Sequence, residues 1–277
     1  MALPVFHDKV TLVTGASSGI GRALATALAQ QGAHVALVAR HETKLRELER
    51  QLASLPGRRL VIPADVRRPA EIRQCVADVL HEFGRIDVLV NNAGKGFCGR
   101  IDETPLEDLQ DVMTTNFVAA FLFLQAIIPS MTRQRSGLII QMSSLNGFSA
   151  VPLASAYAAS KFALEAISES ARMELKQHNV HVLVVRPGLT DTSFFDNAKN
   201  FRAQNPFPMT RFMSADEVAR KTLRAAARHR RELVLTVDGK LLWWLKKLCP
   251  RLVERILGRY VKVRPVESPA DERANRS

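Results

Sequence analysis

The sequence predicts an α/β protein, a single domain built on a doubly wound parallel sheet, with a basic amphipathic helical extension at the C-terminus. Two observations carry the sheet prediction. Short apolar runs of strand length alternate with helical patterns, and the first run leads directly into a glycine-rich turn. A chain of 277 residues that is 47% hydrophobic and 24% charged can bury one large core, so no linker between domains is needed.

Seven apolar segments are predicted as the strands of this sheet. They lie near residues 10–14, 34–38, 59–63, 86–90, 137–142, 180–185 and 232–236. The apolar segment 117–128 is predicted as a buried or subunit-facing helix, because it is too short and too interrupted to span a bilayer.

The first strand is followed by glycines at positions 15, 19 and 21 and then by a helical pattern over residues 22–31. Such a turn lets the backbone approach a pyrophosphate and aims the first amides of the helix at it. The spacing G-x-x-x-G-x-G differs from the commonest dinucleotide fingerprint and is weak evidence by itself. In combination with the alternating pattern it favours a Rossmann-type, dinucleotide-binding domain over residues 1–237.

A hydroxyl, a phenol and an ammonium occur at spacings that suit proton transfer. Ser144 ends an apolar run, Tyr157 follows thirteen residues later, and Lys161 follows Tyr157 by four. On one helix, the i,i+4 spacing places Tyr157 and Lys161 on the same face. We expect the lysine charge to lower the pKa of the phenol from about 10, which would permit general acid–base chemistry.

These motifs resemble those of the short-chain dehydrogenase/reductase family. In order they are Thr14-Gly15-Ala16-Ser17-Ser18-Gly19-Ile20-Gly21, Asn91-Asn92-Ala93-Gly94, Asn116, Ser144, Tyr157-x-x-x-Lys161 and Pro187-Gly188. The resemblance covers about residues 6–235. It implies an enzyme that transfers a hydride between a nicotinamide and a carbonyl/alcohol pair.

The resemblance implies a catalytic role for four residues. Tyr157 would give its proton to the carbonyl oxygen, and Ser144 would hydrogen-bond that oxygen. Lys161 would lower the pKa of the phenol and bind the nicotinamide ribose, while Asn116 would hold a water that links the lysine to solvent. Taken singly, each residue also has a structural interpretation, such as a helix kink at Asn116 or a strand-end cap at Ser144.

The residues expected to bind the cofactor lie in the same motifs and at the ends of the second and third strands. They are Gly15, Ser17, Ser18, Gly19, Ile20, Gly21, Arg40, Lys44, Asp65, Val66, Asn92, Ala93, Gly94, Tyr157, Lys161, Pro187, Gly188, Thr190 and Thr192.

The residue after the second strand predicts which cofactor is used. Enzymes that use NAD usually place an acidic residue there, whereas this chain has Arg40. Arg40 would pair with a 2′-phosphate, and Lys44 would add to the field, so NADP(H) is predicted. The alternative is that Arg40 is a solvated surface cation. Asp65 resembles the family residue that meets the adenine ring, or it caps a turn.

Residues 189–213 correspond to the family loop that closes over the nicotinamide and the substrate, with Thr192 at the position whose hydroxyl meets the carboxamide. The loop carries a dense apolar set: Phe194, Phe195, Phe201, Phe207, Met209, Phe212 and Met213. These side chains either contact a lipophilic substrate or pack the loop onto the body of the protein.

The three cysteines, Cys75, Cys98 and Cys249, are few, odd in number and widely separated. This pattern fits a reducing compartment and argues against a disulfide framework or a zinc site. Residues 1–9 contain no apolar core of signal-peptide length, so we expect cytoplasmic residence. Cys98 either approaches the substrate or packs in the core.

Positive charge is concentrated near the C-terminus. Residues 220–264 contain 14 Lys/Arg and 3 Asp/Glu, a difference of +11 out of the net charge of +12. Within the extension, residues 238–264, an apolar block at 241–245 contains Trp243 and Trp244, and Pro250 interrupts it. The segment that follows predicts an amphipathic basic helix, and residues 265–277 are predicted to be disordered.

Three interpretations of the extension remain open from the sequence. Residues 240–264 could lie on an anionic membrane surface, making the protein peripheral on a membrane. They could instead cover the substrate cleft or a subunit surface. Nucleic-acid binding is disfavoured, because no recognition motif accompanies the charge. The resemblance also suggests a homodimer built on helices near 105–130 and 155–177.

The sequence thus predicts an NADP(H)-dependent oxidoreductase, acting as a reductase on a small lipophilic carbonyl or alcohol substrate. The alternative is a non-catalytic dinucleotide-sensing or membrane-associated binding protein on the same fold. The complete set of catalytic residues argues against it.

Overall fold

A parallel sheet of seven strands forms the centre of the fold. The computed structural model of the protein describes residues 5–192, 194, 198 and 212–260. The strands of the sheet are β1 (Val10–Thr14), β2 (His34–Ala39), β3 (Arg59–Pro63), β4 (Val88–Asn91), β5 (Gly137–Met142), β6 (Val180–Arg186) and β9 (Glu232–Val234). In the sheet these strands lie in the order β3-β2-β1-β4-β5-β6-β9. All seven predicted strands are confirmed within two residues. Two further short strands, β7 (Thr190–Asp191) and β8 (Met213–Ser214), pair with each other.

Helices cover both faces of the sheet. They are α1 (Gly19–Gln30), α2 (Glu42–Gln51), α3 (Pro69–Phe83), α4 (Leu106–Met113), α5 (Ala119–Gln134), α6 (Ser155–Leu175), α7 (Ala215–Ala226), α8 (Val237–Leu248) and α9 (Pro250–Tyr260). One core lies under α1, α2 and α7, and the other lies under α3, α5 and α6. Successive side chains of a strand point to opposite faces of the sheet, so Val13 packs in the first core and Leu12 in the second. Burial on both faces explains why the strands are continuous apolar runs.

The strand order reverses between β1 and β4. The chain moves outward through β1, β2 and β3, and then returns to pair β4 with the other side of β1. In open parallel sheets, such a switch point leaves a crevice at the carboxyl ends of the strands. The glycine turn and the Asn-Asn-Ala-Gly segment both leave the sheet at this point.

The apolar segment at 117–128 lies within a helical run, Leu106–Gln134, that combines α4, a π-helical turn (Thr114–Val118) and α5. By length and composition alone, this run of 29 residues is long enough to cross a membrane, so the prediction that the segment is too short was wrong. The segment is nevertheless a core helix, because α5 packs on α3 and α6 and buries Phe123 and Ile127 completely.

The extension forms two helices, α8 and α9, and the predicted interruption at Pro250 separates them. The side chains of Val261 and Lys262 and the predicted disordered tail lie outside the described residues. The same holds for Phe195, Phe201, Phe207 and Met209 of the apolar loop.

Candidate active site

The turn after β1 requires glycine at three places. Gly15 and Gly19 adopt the left-handed conformation, with φ of +68° and +52°. A Cβ on Gly21 would lie 2.2 Å from the carbonyl oxygen of Gly15, closer than any side chain can approach. Ser18, which caps α1, makes no side-chain hydrogen bond to the first turn, so the first amides of this helix remain available to an anion.

Thr14 and Asn92 fasten this turn to the end of β4. The Thr14 hydroxyl accepts hydrogen bonds from the amides of Asn92 (2.9 Å) and Ala93 (3.0 Å), and the Asn92 side chain donates to the Thr14 carbonyl at 3.0 Å. Asn92 and Ala93 were predicted from the sequence as binding residues, but the role of Thr14 was not. The hydrogen-bond partners of Thr14 lie almost 80 positions away in the sequence, so no local pattern indicates this role.

A cleft of about 570 Å³ runs along the carboxyl ends of the strands. Eighteen of the nineteen residues predicted to bind the cofactor line it; Gly21 lies behind the turn. The cleft is also lined by Ser144, whereas Asn116 lies behind its wall. The fold therefore gathers segments from eight parts of the chain into one elongated site.

One end of the cleft carries exposed cations. Arg40 and Lys44 line the wall beyond β2, and Arg40 forms no hydrogen bond or ion pair with any residue in the described part of the chain. Asp65 lies near them, but its carboxylate is bound by the Arg67 guanidinium at 2.6 and 3.0 Å. This hydrogen bond lowers the pKa of Asp65, and the charge of Arg40 lowers it further. Asp65 is thus neutralised by Arg67, which leaves the charge of Arg40 facing the cleft.

A row of alternating charges that the sequence analysis missed continues along the cleft wall. Arg67 also contacts the Asp111 carboxylate at 3.3 Å, and Asp111 in turn binds the Lys95 ammonium. The partners come from segments after β3, after β4 and from α4, so periodicity within one segment does not reveal them.

The predicted proton-transfer residues meet at the other end. Tyr157 and Lys161 lie on one face of α6, with the lysine Nζ 5.8 Å from the centre of the phenol ring. The buried ammonium donates to the Met142 carbonyl at 2.8 Å. The Ser144 hydroxyl interacts with the hydroxyl of Tyr157. The end of β5 and the first turns of α6 therefore bring these groups together, as the spacing predicted.

The electrostatic prediction for Tyr157 was wrong. Burial raises the pKa of Tyr157 to about 12, although the hydrogen bond with Ser144 opposes the shift. Burial also lowers the pKa of Lys161 to about 8, against the charge of Glu165. Loss of hydration is the largest cause of the shift in the Tyr157 pKa, and the Lys161 ammonium binds the Met142 carbonyl. The phenol therefore holds its proton at neutral pH.

Asn116 lies within the π-helical turn and is 1% exposed. Its Oδ1 accepts from the Lys95 amide at 2.8 Å, and its Nδ2 donates to the Lys95 carbonyl and to the Ser160 hydroxyl, both at 3.0 Å. The side chain thus ties the segment after β4 to α6 beside Lys161. Its predicted role in holding a water stays a prediction.

The described part of the loop brings one aromatic ring to the catalytic end. Phe194 packs edge-on against Tyr157, with ring centres 5.8 Å apart, and lines the cleft. By contrast, Met213 packs on the core beside α7, and the Phe212 side chain is 41% exposed. Cys98 is buried and does not line the cleft, which favours a packing role, and burial raises the pKa of its thiol.

Comparison with known proteins agrees with this geometry. Residues 9–203 match the family model described as short chain dehydrogenase. Dehydrogenase/reductase SDR family member 7B of Bos taurus is 32% identical over 262 residues, which cover 91% of this chain and 81% of the relative.

Two similar solved structures contain a nicotinamide dinucleotide. A metagenomic short-chain oxidoreductase in complex with NADP is 32% identical with a TM-score of 0.71, covering 83% of this chain and 97% of the other. An alcohol dehydrogenase from the archaeon Thermococcus sibiricus, complexed with 5-hydroxy-NADP, is 28% identical with a TM-score of 0.72, covering 82% of this chain and 95% of the other.

Proposed function

The chain belongs to the short-chain dehydrogenase/reductase family of oxidoreductases, and from this premise we propose that it is an NADP(H)-dependent reductase of lipophilic carbonyl compounds. One observation carries the proposal: the same cleft holds a protonated phenol at one end and, at the other, an arginine without a hydrogen bond or ion pair to any described residue. A protonated phenol, here Tyr157, can give a proton to a carbonyl oxygen that is being reduced. An arginine, here Arg40, can pair with the 2′-phosphate of NADP(H).

The residues present fit such a cofactor. The glycine turn lies on the wall of the cleft, and the first amides of α1 carry no side-chain cap, so they are available to a pyrophosphate. Arg40 occupies the position after β2 at which an acidic residue would repel a 2′-phosphate, and Lys44 follows it in the first turn of α2. The two similar structures that contain NADP or 5-hydroxy-NADP support the same choice. A bound cofactor would supply the hydride.

The chain's own residues would handle the substrate oxygen and its proton. The Tyr157 hydroxyl would donate its proton to the carbonyl oxygen, and the Ser144 hydroxyl would hold that oxygen in line. The phenolate left behind would be stabilised by the Lys161 ammonium, which would also bind the ribose hydroxyls of the cofactor. Asn116 would keep this lysine in place through Lys95 and Ser160.

The preference for a lipophilic substrate is supported by Phe194. Its ring lies against the phenol that would bind the substrate oxygen, so a substrate carbonyl would approach beside an aromatic surface. An apolar group next to the carbonyl would be stabilised there by burial.

A homodimer through α5 and α6 is also part of the proposal. These helices expose large apolar side chains away from the sheet, with Phe121, Phe162 and Met173 exposed by 45%, 44% and 64%. A second copy covering them would remove this apolar surface from water.

The test is NADPH oxidation with a panel of ketones, aldehydes, quinones and steroids. The reaction is monitored by the loss of NADPH absorbance. We expect turnover with lipophilic members, and none for Tyr157→Phe although this variant still binds NADPH. A protein that binds NADPH tightly but reduces no compound in the panel would favour the dinucleotide-sensing alternative. Turnover supported equally by NADH would contradict the cofactor assignment.

A further inference from the structure

Both helices of the extension present large apolar side chains to the surface. Leu241, Trp244 and Leu248 recur at i, i+3 and i+7 on α8 and are 60%, 58% and 72% exposed. Leu252 and Ile256 continue on α9, with exposures of 44% and 49%. These five residues form what we call the apolar row. Surface side chains of this size in series are unusual for a face that stays in water.

The row is distinct from the face that packs α9. Val253 is buried, and Leu257 is half-buried, so these two side chains form the inner face of that helix. An ion pair between Lys246 and Glu254, 2.9 Å long, links α8 to α9. The apolar row is therefore held on the outside of a defined helix pair.

Cations flank the apolar row. Lys240, Lys247, Arg251, Arg255 and Arg259 are all exposed. A helical step of about 100° per residue places Arg255 and Arg259 next to the line formed by Leu252 and Ile256. Residues 237–260 contain only two acidic residues, Asp238 and Glu254, and the second is already paired.

We propose that this face of α8 and α9 binds the surface of a bilayer that contains anionic phospholipids. The apolar row would enter the boundary between headgroups and acyl chains, while the flanking cations would meet the phosphate and carboxylate groups. Trp244 is the residue type that favours this boundary. With 12 and 11 residues, α8 and α9 are too short to span the bilayer, so the attachment is peripheral.

The pattern favours a membrane over other occupants of the face. A second copy packed on the same face would bring its cations against those of the first, without carboxylates to compensate. Nucleic acid would use the cations but would leave the apolar row in water.

The body of the protein holds α8 in place at its first turn. A Cβ on Gly239 would lie 2.7 Å from the Leu145 side chain, and Thr236 packs against Gly188. The Thr236 hydroxyl also accepts a hydrogen bond from the Gly239 amide at 3.1 Å and caps the helix. The face is thus presented on an anchored helix.

Both tryptophans of the chain, Trp243 and Trp244, lie on α8, so intrinsic fluorescence reports on this helix alone. The full-length protein would be titrated with vesicles of phosphatidylcholine and phosphatidylserine, and with vesicles of phosphatidylcholine only. We expect a blue shift and co-sedimentation with the anionic vesicles at low salt, and loss of both at high salt because the attraction is screened. Brominated lipid should quench Trp244 when Trp243→Phe leaves it as the single tryptophan.

Paired variants separate the two parts of the face. Arg251→Gln with Arg255→Gln should weaken vesicle binding about 30-fold, near fivefold for each arginine. Arg73→Gln with Arg133→Gln removes the same charge from exposed positions on α3 and α5 and should have little effect.

Leu248→Asn should weaken binding about tenfold, since one large side chain no longer enters the boundary. The matched control is Ile101→Asn, which removes an apolar side chain that is 80% exposed in a loop. Thermal melting of each variant checks that the fold is retained.

Three results would overturn the proposal. The first is the absence of any vesicle-dependent blue shift at low salt. The second is equal binding to neutral and anionic vesicles. The third is a blue shift that depends on protein concentration and not on lipid, which would show that a second copy covers the apolar row.

Discussion

Exchanging Arg40 for aspartate should reverse the cofactor preference. Arg40 lies at the carboxyl end of β2, lines the cleft and is exposed, while the nearby carboxylate of Asp65 is already bound by Arg67. Its guanidinium is therefore free to pair with a 2′-phosphate. Arg40→Asp removes this partner and adds a negative charge in the same place.

The magnitude follows from the exposure of the site. A hydrogen bond to a charged group contributes about 2 kcal/mol. Repulsion between an aspartate and a phosphate across a few ångströms of largely aqueous surroundings adds about 1 kcal/mol. The sum of about 3 kcal/mol corresponds to a loss of NADPH affinity on the order of 100-fold. Arg40→Gln omits the repulsion and should lose about 30-fold.

The assay is calorimetric titration of NADPH and NADH into the wild type and both variants. NADH has no 2′-phosphate, so its affinity should change little in Arg40→Gln. Arg133→Gln on α5 is the control for a general loss of positive charge. Equal NADPH affinity in the wild type and Arg40→Asp would refute the assignment of Arg40.

Three further predictions concern the catalytic end and the glycine turn. Tyr157→Phe should abolish turnover and leave NADPH affinity unchanged, because only the proton-donating oxygen is lost; near wild-type turnover on a verified substrate would refute this role. Since burial lowers the pKa of Lys161 to about 8, its ammonium is present below that pH and lost above it. The kcat/KM for NADPH should therefore fall as the pH rises through about 8. Lys161→Met should bind NADPH more weakly, and its NADPH binding should not fall through this pH. The same fall in the variant would assign the titration to another group. Gly21→Ala should lower both the melting temperature and NADPH affinity, since its Cβ would meet the Gly15 carbonyl oxygen and such overpacking costs about 1–3 kcal/mol; an unchanged melting curve would show that the turn can shift.

Most of the fold could be predicted from patterns within single segments of the sequence. The strands could be predicted because both faces of a parallel sheet are buried, which makes each strand a continuous apolar run. The glycine turn could be predicted because its positive φ angles and close backbone approach exclude other residues locally. Likewise, the spacing of Tyr157 and Lys161 is a property of one helix, and the structure places both on one face of α6.

The errors arose where burial or length depends on distant parts of the chain. The segment at 117–128 continues into a longer helix because α4 and a π-helical turn precede it without a break. The pKa of Tyr157 rises because burial removes water from the phenol. The spacing of residues in the sequence does not reveal this burial.

The sequence by itself determined the sheet, the glycine turn and the placement of Tyr157 and Lys161 on one helix, because each depends on neighbours within one strand, turn or helix. Only the tertiary structure decided which charges remain uncompensated. Arg67 neutralises Asp65 and thereby leaves Arg40 open to the cleft. The tertiary structure also decided which apolar residues of the extension stay in water: Val253 is buried, and Leu252 beside it is not. Both outcomes depend on packing between segments that are distant in sequence, and hydrophobic periodicity along one segment carries no information about its partners.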